Sequence, residues 1–246
     1  MGLTSAWRDA RARRSAGARL LAAVLLGAAP IATAGPTNQF WPEVGLFVEV
    51  NEDVRLAFLA SKSNALGVQH SGDASFGLYV DYLGFQQPLW LDELTPDRAK
   101  RSRLALRLGY EGTADRGGDR TRTRQWIGEV TARILPVKNT SFSNRSSFVY
   151  QDVERSATDW FYLNKSRLER NVKITRGILV SPFVSAEFAY RFGGGGGWGG
   201  SEYAVGVEWA PIPDRVVLEL SLNRQEQHKP ERASVNALGL SVGFYF

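Results

Sequence analysis

The last thirteen residues of the chain alternate between apolar side chains and small or polar ones. Residues 234–246 read SVNALGLSVGFYF and end on an aromatic residue. In an extended chain, successive side chains point to opposite faces. Leu238 and Leu240 therefore share one face, and Gly239 and Ser241 share the other. The pattern predicts a β-strand with one apolar face.

The same two-residue period recurs along most of the chain after residue 40, with almost no helical period between the repeats. It is clearest in residues 101–111, where Leu106 and Leu108 alternate with Arg103 and Arg107. Two other stretches are extended in character, but their faces cannot be assigned because charged residues crowd them. These charged residues are Arg145, Lys165, Arg167, Glu169 and Arg170. The repetition predicts an all-β protein.

The connections between the predicted strands alternate in length. Longer ones fall at residues 113–123, 153–159, 193–201 and 225–232, and short ones at residues 136–139, 175–177 and 211–214. Transmembrane barrels have short turns on one side and longer loops on the other, and those of bacteria usually have an even number of strands. Eleven strands can be counted, and residues 86–100 have room for another. We therefore predict an up-and-down antiparallel barrel of about twelve strands over residues 35–246, with ten as the alternative.

The first 34 residues predict a cleaved secretory signal. The formal net charge of the chain is +5, but five arginines and one aspartate give this segment +4 and leave +1 for the rest. Residues 20–32 are apolar, and Ala32-Thr33-Ala34 is an A-x-A cleavage site, so we expect a signal peptide over residues 1–34 that is cleaved after Ala34. The remaining chain lacks the basic footprint of a nucleic-acid-binding protein. We expect export to the bacterial outer membrane.

The faces opposite the apolar rows predict a charged lumen, because charges at mid-depth on the lipid side are costly. The candidate lumen residues are Glu49, Arg55, Asp81, Arg101, Arg103, Arg107, Glu111, Glu129, Arg133, Glu187, Arg191, Glu202, Glu208 and Glu219. Two interpretations remain open. The arginines line a narrow channel for small anionic solutes, with charge setting the selectivity, or the mixed charges form a salt-bridge network in a plugged interior.

A lipid-modifying hydrolase is the alternative class of function. It would need a serine nucleophile, a histidine base and an orienting acid or amide. His70 precedes Ser71 and lies near Asp73, but polar residues are the default in a loop. His228 lacks the following serine of the His-x-Ser-Asn motif in the lipid A deacylase family. We therefore predict no catalytic residues, no cofactor and no metal site; the chain has no cysteine. A third alternative is a barrel that binds partners through outer loops such as residues 193–200.

Several segments together resemble a family of uncharacterised bacterial outer-membrane barrels, domain of unknown function 2490. They are FWPEVGLFVEVNEDVRLAF, SFGLYVDYL, RSRLALRLGYEG and the final GLSVGFYF. The resemblance implies a barrel in the outer membrane of a Gram-negative bacterium and no catalytic residues. The expected partners are outer-membrane lipid, the barrel-insertion machinery through the C-terminal strand, and small solutes; no nucleic acid is expected.

Overall fold

The computed structural model describes residues 37–65, 73–86, 97–115, 122–154, 158–175, 178–192, 196–212, 215–227 and 234–246. These ranges contain thirteen strands and one 3-10 helix, Arg98–Arg101. The strands are β1 (Thr37–Glu49), β2 (Val54–Lys62), β3 (Asn64–Ala65), β4 (Asp73–Gln86), β5 (Ser102–Asp115), β6 (Arg122–Val137), β7 (Thr140–Val153), β8 (Asp159–Arg170), β9 (Val172–Thr175), β10 (Ile178–Arg191), β11 (Gly197–Ile212), β12 (Val216–Gln227) and β13 (Ser234–Tyr245). None of the helical structure in these ranges is long and apolar enough to cross a membrane. The predicted signal peptide lies outside the described residues.

Eleven long strands form a closed wall among the described residues. Neighbours along the chain pair antiparallel, and β1 pairs with β13 to close the sheet on itself. The two short strands extend this wall: β3 pairs with β1 beyond the end of β2, and β9 pairs with β10 beyond the end of β8. Closure leaves no unpaired edge, so a barrel satisfies its backbone hydrogen bonds internally. The predicted all-β, up-and-down barrel is confirmed.

The wall has one strand fewer than the predicted twelve, and the seam between its ends explains the difference. β1 and β13 pair in parallel, with Val44 opposite Val242 and Gly45 opposite Gly243. With an odd number of up-and-down strands, the first and last run in the same direction, so closure must be parallel. The segment predicted to have room for a further strand instead holds the 3-10 helix within its described part. The even-number rule that favoured twelve does not apply to this wall.

The two ends of the barrel differ. At one end, here called the turn end, lie the connections 50–53 and 138–139 and the C-terminal residue Phe246, whose carbonyl accepts a hydrogen bond from the Glu49 amide. At the opposite end, here called the loop end, β5 and β12 end and β6 and β13 begin. The connections 50–53 and 138–139 at the turn end are short, but β4 and β5, which are also joined at this end, are separated by residues 87–101.

The outer face of the wall is a belt of large apolar side chains. Exposed examples from strands around the barrel are Val44, Leu46, Leu78, Val80, Leu106, Leu108, Val130, Leu220, Leu222 and Leu238. Nearer the loop end, aromatic rings pair between neighbouring strands, as in Tyr110 with Trp126 and Tyr150 with Trp160, with centroid distances of 5.0 and 4.9 Å. An apolar band bordered by aromatic residues is the outer surface that a barrel presents to lipid.

β7 and β8 are the two stretches whose faces could not be assigned from the sequence, and their pairing explains why. In the register of this pair, Arg145 lies opposite Lys165, and Asn144 lies opposite Ser166. The charged pair belongs to the inner face, where Arg145 meets Glu187 of β10, and the Asn and Ser pair belongs to the outer face. Because both faces are polar at this level, no apolar period marks which of them points outward.

Inside the wall, an aromatic ring fills the space above glycines of neighbouring strands. The Tyr79 ring lies against Gly77 of its own strand and Gly109 of β5, and its hydroxyl donates a hydrogen bond of 2.8 Å to Glu111. A Cβ atom on Gly109 would overlap this ring. By contrast, a Cβ atom on Gly112, in the same strand, would meet nothing within 4 Å. The two glycines therefore form a matched pair for a test of this packing.

We expect Gly109→Ala to destabilise the barrel by about 1 to 3 kcal/mol, because the added methyl group forces the buried Tyr79 ring aside. Gly112→Ala, the control, should change the free energy of unfolding by less than about 0.5 kcal/mol. Urea titration of the refolded protein in lipid vesicles, followed by tryptophan fluorescence, measures both values. Equal effects of the two substitutions would contradict close packing of the Tyr79 ring on Gly109.

Candidate functional site

A row of alternating charges crosses four strands of the inner face. Arg55 of β2, Asp81 of β4, Arg107 of β5 and Glu129 of β6 occupy directly paired positions in successive registers. Asp81 accepts from both neighbours, at 2.6 Å from Arg55 Nη2 and 2.6 Å from Arg107 Nε. The Arg107 Nε to Glu129 Oε2 distance is 3.8 Å. Since the strand register sets these neighbours, the backbone pairing itself brings opposite charges together.

Residues 97–101, the described part of the connection between β4 and β5, lie inside the barrel and are here called the inserted segment. Asp97 caps the 3-10 helix by accepting from the Ala99 amide at 2.9 Å, and it accepts from Arg55 Nη1 at 2.7 Å. Burial by itself would raise the pKa of the Asp97 carboxyl, but the charges of Arg55 and Lys100 outweigh it and lower the pKa to about 2. The stabilisation from this carboxylate is therefore complete above its ordinary value of 3.8 and is lost as the pH falls through about 2.

Lys100 anchors the inserted segment to distant parts of the wall. Its Nζ atom lies 3.0 Å from Glu169 Oε2 of β8 and 2.7 Å from Glu208 Oε2 of β11. Arg133 of β6 donates to the carbonyl oxygens of Ala99 and Ser102, the latter at 3.0 Å. The segment is thus attached to three strands besides the row of alternating charges.

Aromatic and other inward side chains pack inside the barrel near its turn end. Phe47 stacks on Tyr245 with 4.7 Å between ring centroids, and the Arg55 guanidinium lies over the Phe47 ring. Further inward residues at this end are almost fully buried, and they include Ala57, Tyr79, Leu83, Leu179, Ser181 and Phe183. Together with the inserted segment, these side chains pack inside the barrel near its turn end.

Above the inserted segment lies a cavity of about 270 Å³. Its described lining contains seven cationic and four acidic side chains. The cationic ones are Arg55, Lys100, Arg107, Arg133, Arg145, Lys165 and Arg167, and the acidic ones are Asp81, Asp97, Glu129 and Glu169. Lys165 is only loosely neutralised, because its carboxylate neighbours Glu187 and Glu202 lie at 3.9 and 3.8 Å. The lining itself has three more cations than acids, and Glu208, Glu187, Glu202 and Glu219 pair with Lys100, Arg145, Lys165 and Arg167 from just outside it.

A second cavity of about 310 Å³ lies toward the loop end and has the opposite character. In the described part of the chain, its charged lining consists of Glu187, Glu202 and Glu226 and one cation, Arg191. Arg145 connects the two cavities through its ion pair of 3.0 Å with Glu187. The acidic cavity therefore lies nearer the loop end, and the cavity with the cationic lining lies nearer the turn end.

The structure brings most of the predicted lumen residues into this network. Glu219 also joins it by pairing with Arg167 at 2.8 Å, and Arg191 Nε pairs with Asp159 Oδ1 at 3.0 Å. Three predicted residues lie at the turn end and line neither cavity in the described part of the chain. Glu49 is half-buried at the turn end of β1, Arg101 ends the 3-10 helix before β5 begins, and Arg103 at the start of β5 is exposed.

Several central residues of the network were missed by sequence reasoning. They are Asp97, Lys100, Arg145, Lys165, Arg167 and Glu169. The last four lie on strands without a clear period, and the first two lie in the connection where a further strand was predicted. The one available signal for Asp97 and Lys100 was the length of that connection, since the other connections at the turn end are short.

The hydrolase constellation cannot be assembled from the described residues. Asp73 begins β4 near the loop end and is exposed, while His70, Ser71 and His228 lie outside the described ranges. Within those ranges, no group of three His, Cys, Asp or Glu side chains is placed to hold a metal ion.

A closed up-and-down barrel with an apolar outer belt and a charged interior defines the class of outer-membrane β-barrels. Two solved structures share this fold. One, described as a bacterial polysaccharide outer membrane secretin, has a TM-score of 0.51 and 11% identity over 79% of this chain and 64% of its own. The other, LpxR from Salmonella typhimurium, has a TM-score of 0.52 and 12% identity over 82% of this chain and 87% of its own. At these identities the likeness concerns the fold.

No family model matches this chain, and no curated protein matches it. The resemblance to domain of unknown function 2490 therefore stays a prediction. The chain spans 64% of the length of the secretin chain that it matches, so any role of that protein carries over only as a proposal.

Proposed function

We propose that this protein is an outer-membrane channel for small solutes, with a preference for anions, and that the inserted segment holds it in a closed conformation. The outer-membrane location is proposed from the barrel fold, from the apolar belt and from the predicted signal peptide. Solutes would enter at the loop end, and passage would require displacement of residues 97–101 at the turn end.

The cavity above the inserted segment, whose lining has more cations than acids, is the observation that supports this proposal most. Seven cations face four acids around about 270 Å³ of space inside a low-dielectric wall. A cleft lined by one excess charge concentrates counter-ions, and rings of charged side chains set the selectivity of pores.

Charge at Lys165 should control the selectivity. In planar bilayers with a salt gradient, we expect the wild-type protein to show brief discrete openings with a reversal potential that favours anions. Lys165→Glu should shift the reversal potential toward cations, because Lys165 lines the cavity and its carboxylate partners are 3.8 Å or more away. The control is Lys138→Glu in the exposed turn between β6 and β7. A reversal potential that Lys165→Glu leaves unchanged would contradict the proposed role of the cavity.

A barrel that stays sealed and acts through its loops is the second candidate. The observation in its favour is the anchoring of Lys100 to both Glu169 and Glu208, because such a bridge resists displacement. The sealed barrel predicts no discrete conductance from the wild-type protein or from any variant that keeps the barrel wall intact. A variant that releases Lys100 from both carboxylates separates the two candidates.

A further inference from the structure

A polar patch interrupts the apolar belt on the outer face of the barrel. It consists of Asn144 and Ser146 on β7 and of Tyr162, Asn164 and Ser166 on β8, and it is here called the amide patch. In the register of the two strands, Asn144 lies opposite Ser166, and Ser146 lies opposite Asn164. Both pairs are near the middle of their strands, and therefore near the middle of a lipid-facing band about 25 Å tall.

The members of the patch hydrogen-bond to one another. Asn144 and Asn164 exchange two bonds, with Nδ2 to Oδ1 distances of 3.0 and 3.1 Å. Asn144 also donates to Ser166 Oγ at 3.0 Å, and Asn164 donates to Ser146 Oγ at 3.1 Å. The hydroxyl groups of Ser146 and Tyr162 are 3.0 Å apart. The amide hydrogens are thus used within the patch.

Some amide oxygens and hydroxyl hydrogens of the patch have unused hydrogen-bonding capacity. Each amide oxygen accepts one bond from the other amide and has a second lone pair. The Ser166 hydroxyl accepts from Asn144, but its own hydrogen meets no acceptor in the described part of the chain. Of the Ser146 and Tyr162 hydroxyls, one donates its hydrogen to the other. The hydrogen of the accepting hydroxyl then has no acceptor in the described ranges. Two spare donors and two spare amide acceptors therefore face outward.

The surroundings exclude water and lipid headgroups as partners. Outward residues at the middle of other strands are apolar, as at Val80, Leu108 and Leu220. At one level the patch is flanked by small residues, with Ala132 paired to Asn144 and Ala186 paired to Ser166. At the other level Val130 is paired to Ser146 and Phe188 to Asn164. Acyl chains offer no hydrogen bonds, so spare polar capacity at this depth favours contact with another protein surface. The alanines at the level of Asn144 and Ser166 leave room for a second backbone to approach closely.

We propose that the amide patch is the centre of a dimer interface with a second copy of this chain in the membrane. Amide and hydroxyl groups both donate and accept, so the patch is complementary to itself. A two-fold dimer places the same patch of both subunits face to face and requires this self-complementarity. The patch on one copy supplies as many spare donors as the patch on the other has spare amide acceptors. The inference does not depend on whether the interior conducts.

The test uses the full mature chain, which has no cysteine, so that a single introduced cysteine reports on one position. Ser146→Cys and Ser166→Cys place a thiol on the patch, and Leu220→Cys places one at similar depth on β12, away from it. In vesicles at low protein-to-lipid ratio under mild oxidation, we expect a disulfide-linked dimer as the main product of at least one serine variant. The Leu220→Cys protein should remain monomeric. Adding Asn144→Leu and Asn164→Leu to the crosslinking variant should abolish the dimer while the barrel still folds.

Three results would overturn the proposal. Both serine variants could remain monomeric, or the Leu220→Cys protein could crosslink to the same extent, which would indicate random collision. In native outer membranes, the serine variants could instead form an adduct with a different protein while the purified protein stays monomeric. The last result would assign the patch to another partner.

Discussion

Lys100→Met should convert the closed barrel into one that conducts readily. The substitution keeps the length of the side chain and removes the charge that ties the inserted segment to Glu169 and Glu208. Arg167 still pairs with both carboxylates, at 3.0 Å from Glu169 and 3.4 Å from Glu208, so the barrel keeps its own ion pairs while the inserted segment loses its bridge to β8 and β11. We expect frequent discrete openings in planar bilayers and a several-fold rise in the time spent open.

The matched control for this experiment is Lys138→Met, which removes a lysine from the exposed turn between β6 and β7. It should leave the conductance at the wild-type level. Because Asp97 and Arg55 still hold the start of the segment, combining Lys100→Met with Asp97→Asn should open the barrel further. If neither the single nor the double variant conducts while both remain folded, the sealed barrel is correct and the channel is wrong.

Asp81→Asn should cause a larger loss of stability than Gly109→Ala. Asp81 and Arg55 each have a side-chain exposure of 3% or less, and Asp81 also forms an ion pair with Arg107. The substitution leaves Arg107 with Glu129 at 3.8 Å, while Arg55 keeps Asp97, and loss of one partner of a buried ion pair costs about 3 to 5 kcal/mol. We expect a decrease of that size in the free energy of unfolding, measured by urea titration in lipid vesicles.

The control for Asp81→Asn is Glu226→Gln, which breaks the ion pair with Arg224 near the loop end. The side chains of that pair are 28% and 42% exposed, so its loss should cost less than about 1 kcal/mol. If the two substitutions cost the same, the row of alternating charges contributes little to stability, and its role would have to lie in solute passage alone.

Local sequence determined the nature of the wall. Alternation such as that of Leu104 to Tyr110 depends only on the two-residue period of an extended chain, and this period holds wherever one face is apolar and the other is not. Leu106 and Leu108 are exposed on the outer belt, and Arg107 lies on the inner face. The same reasoning located most of the charged interior, since charges opposite an apolar row must point away from lipid.

Where both faces are polar, the sequence pattern carried no information. Arg145 on the inner face and Asn144 on the outer face are adjacent on β7, and only the pairing with β6 and β8 shows which one points outward. The amide patch and the cations of β8 were both hidden for this reason.

Strand number and closure depend on contacts between residues far apart in the chain. The pairing of Gly45 with Gly243 and the bridge from Lys100 to Glu208 join segments that no local period relates. The amino-acid sequence by itself thus determined a wall of alternating strands with an apolar outer face, because that property is local. The tertiary structure alone decided that eleven strands close in parallel around an inserted segment, because register and long-range ion pairs form only when the barrel does.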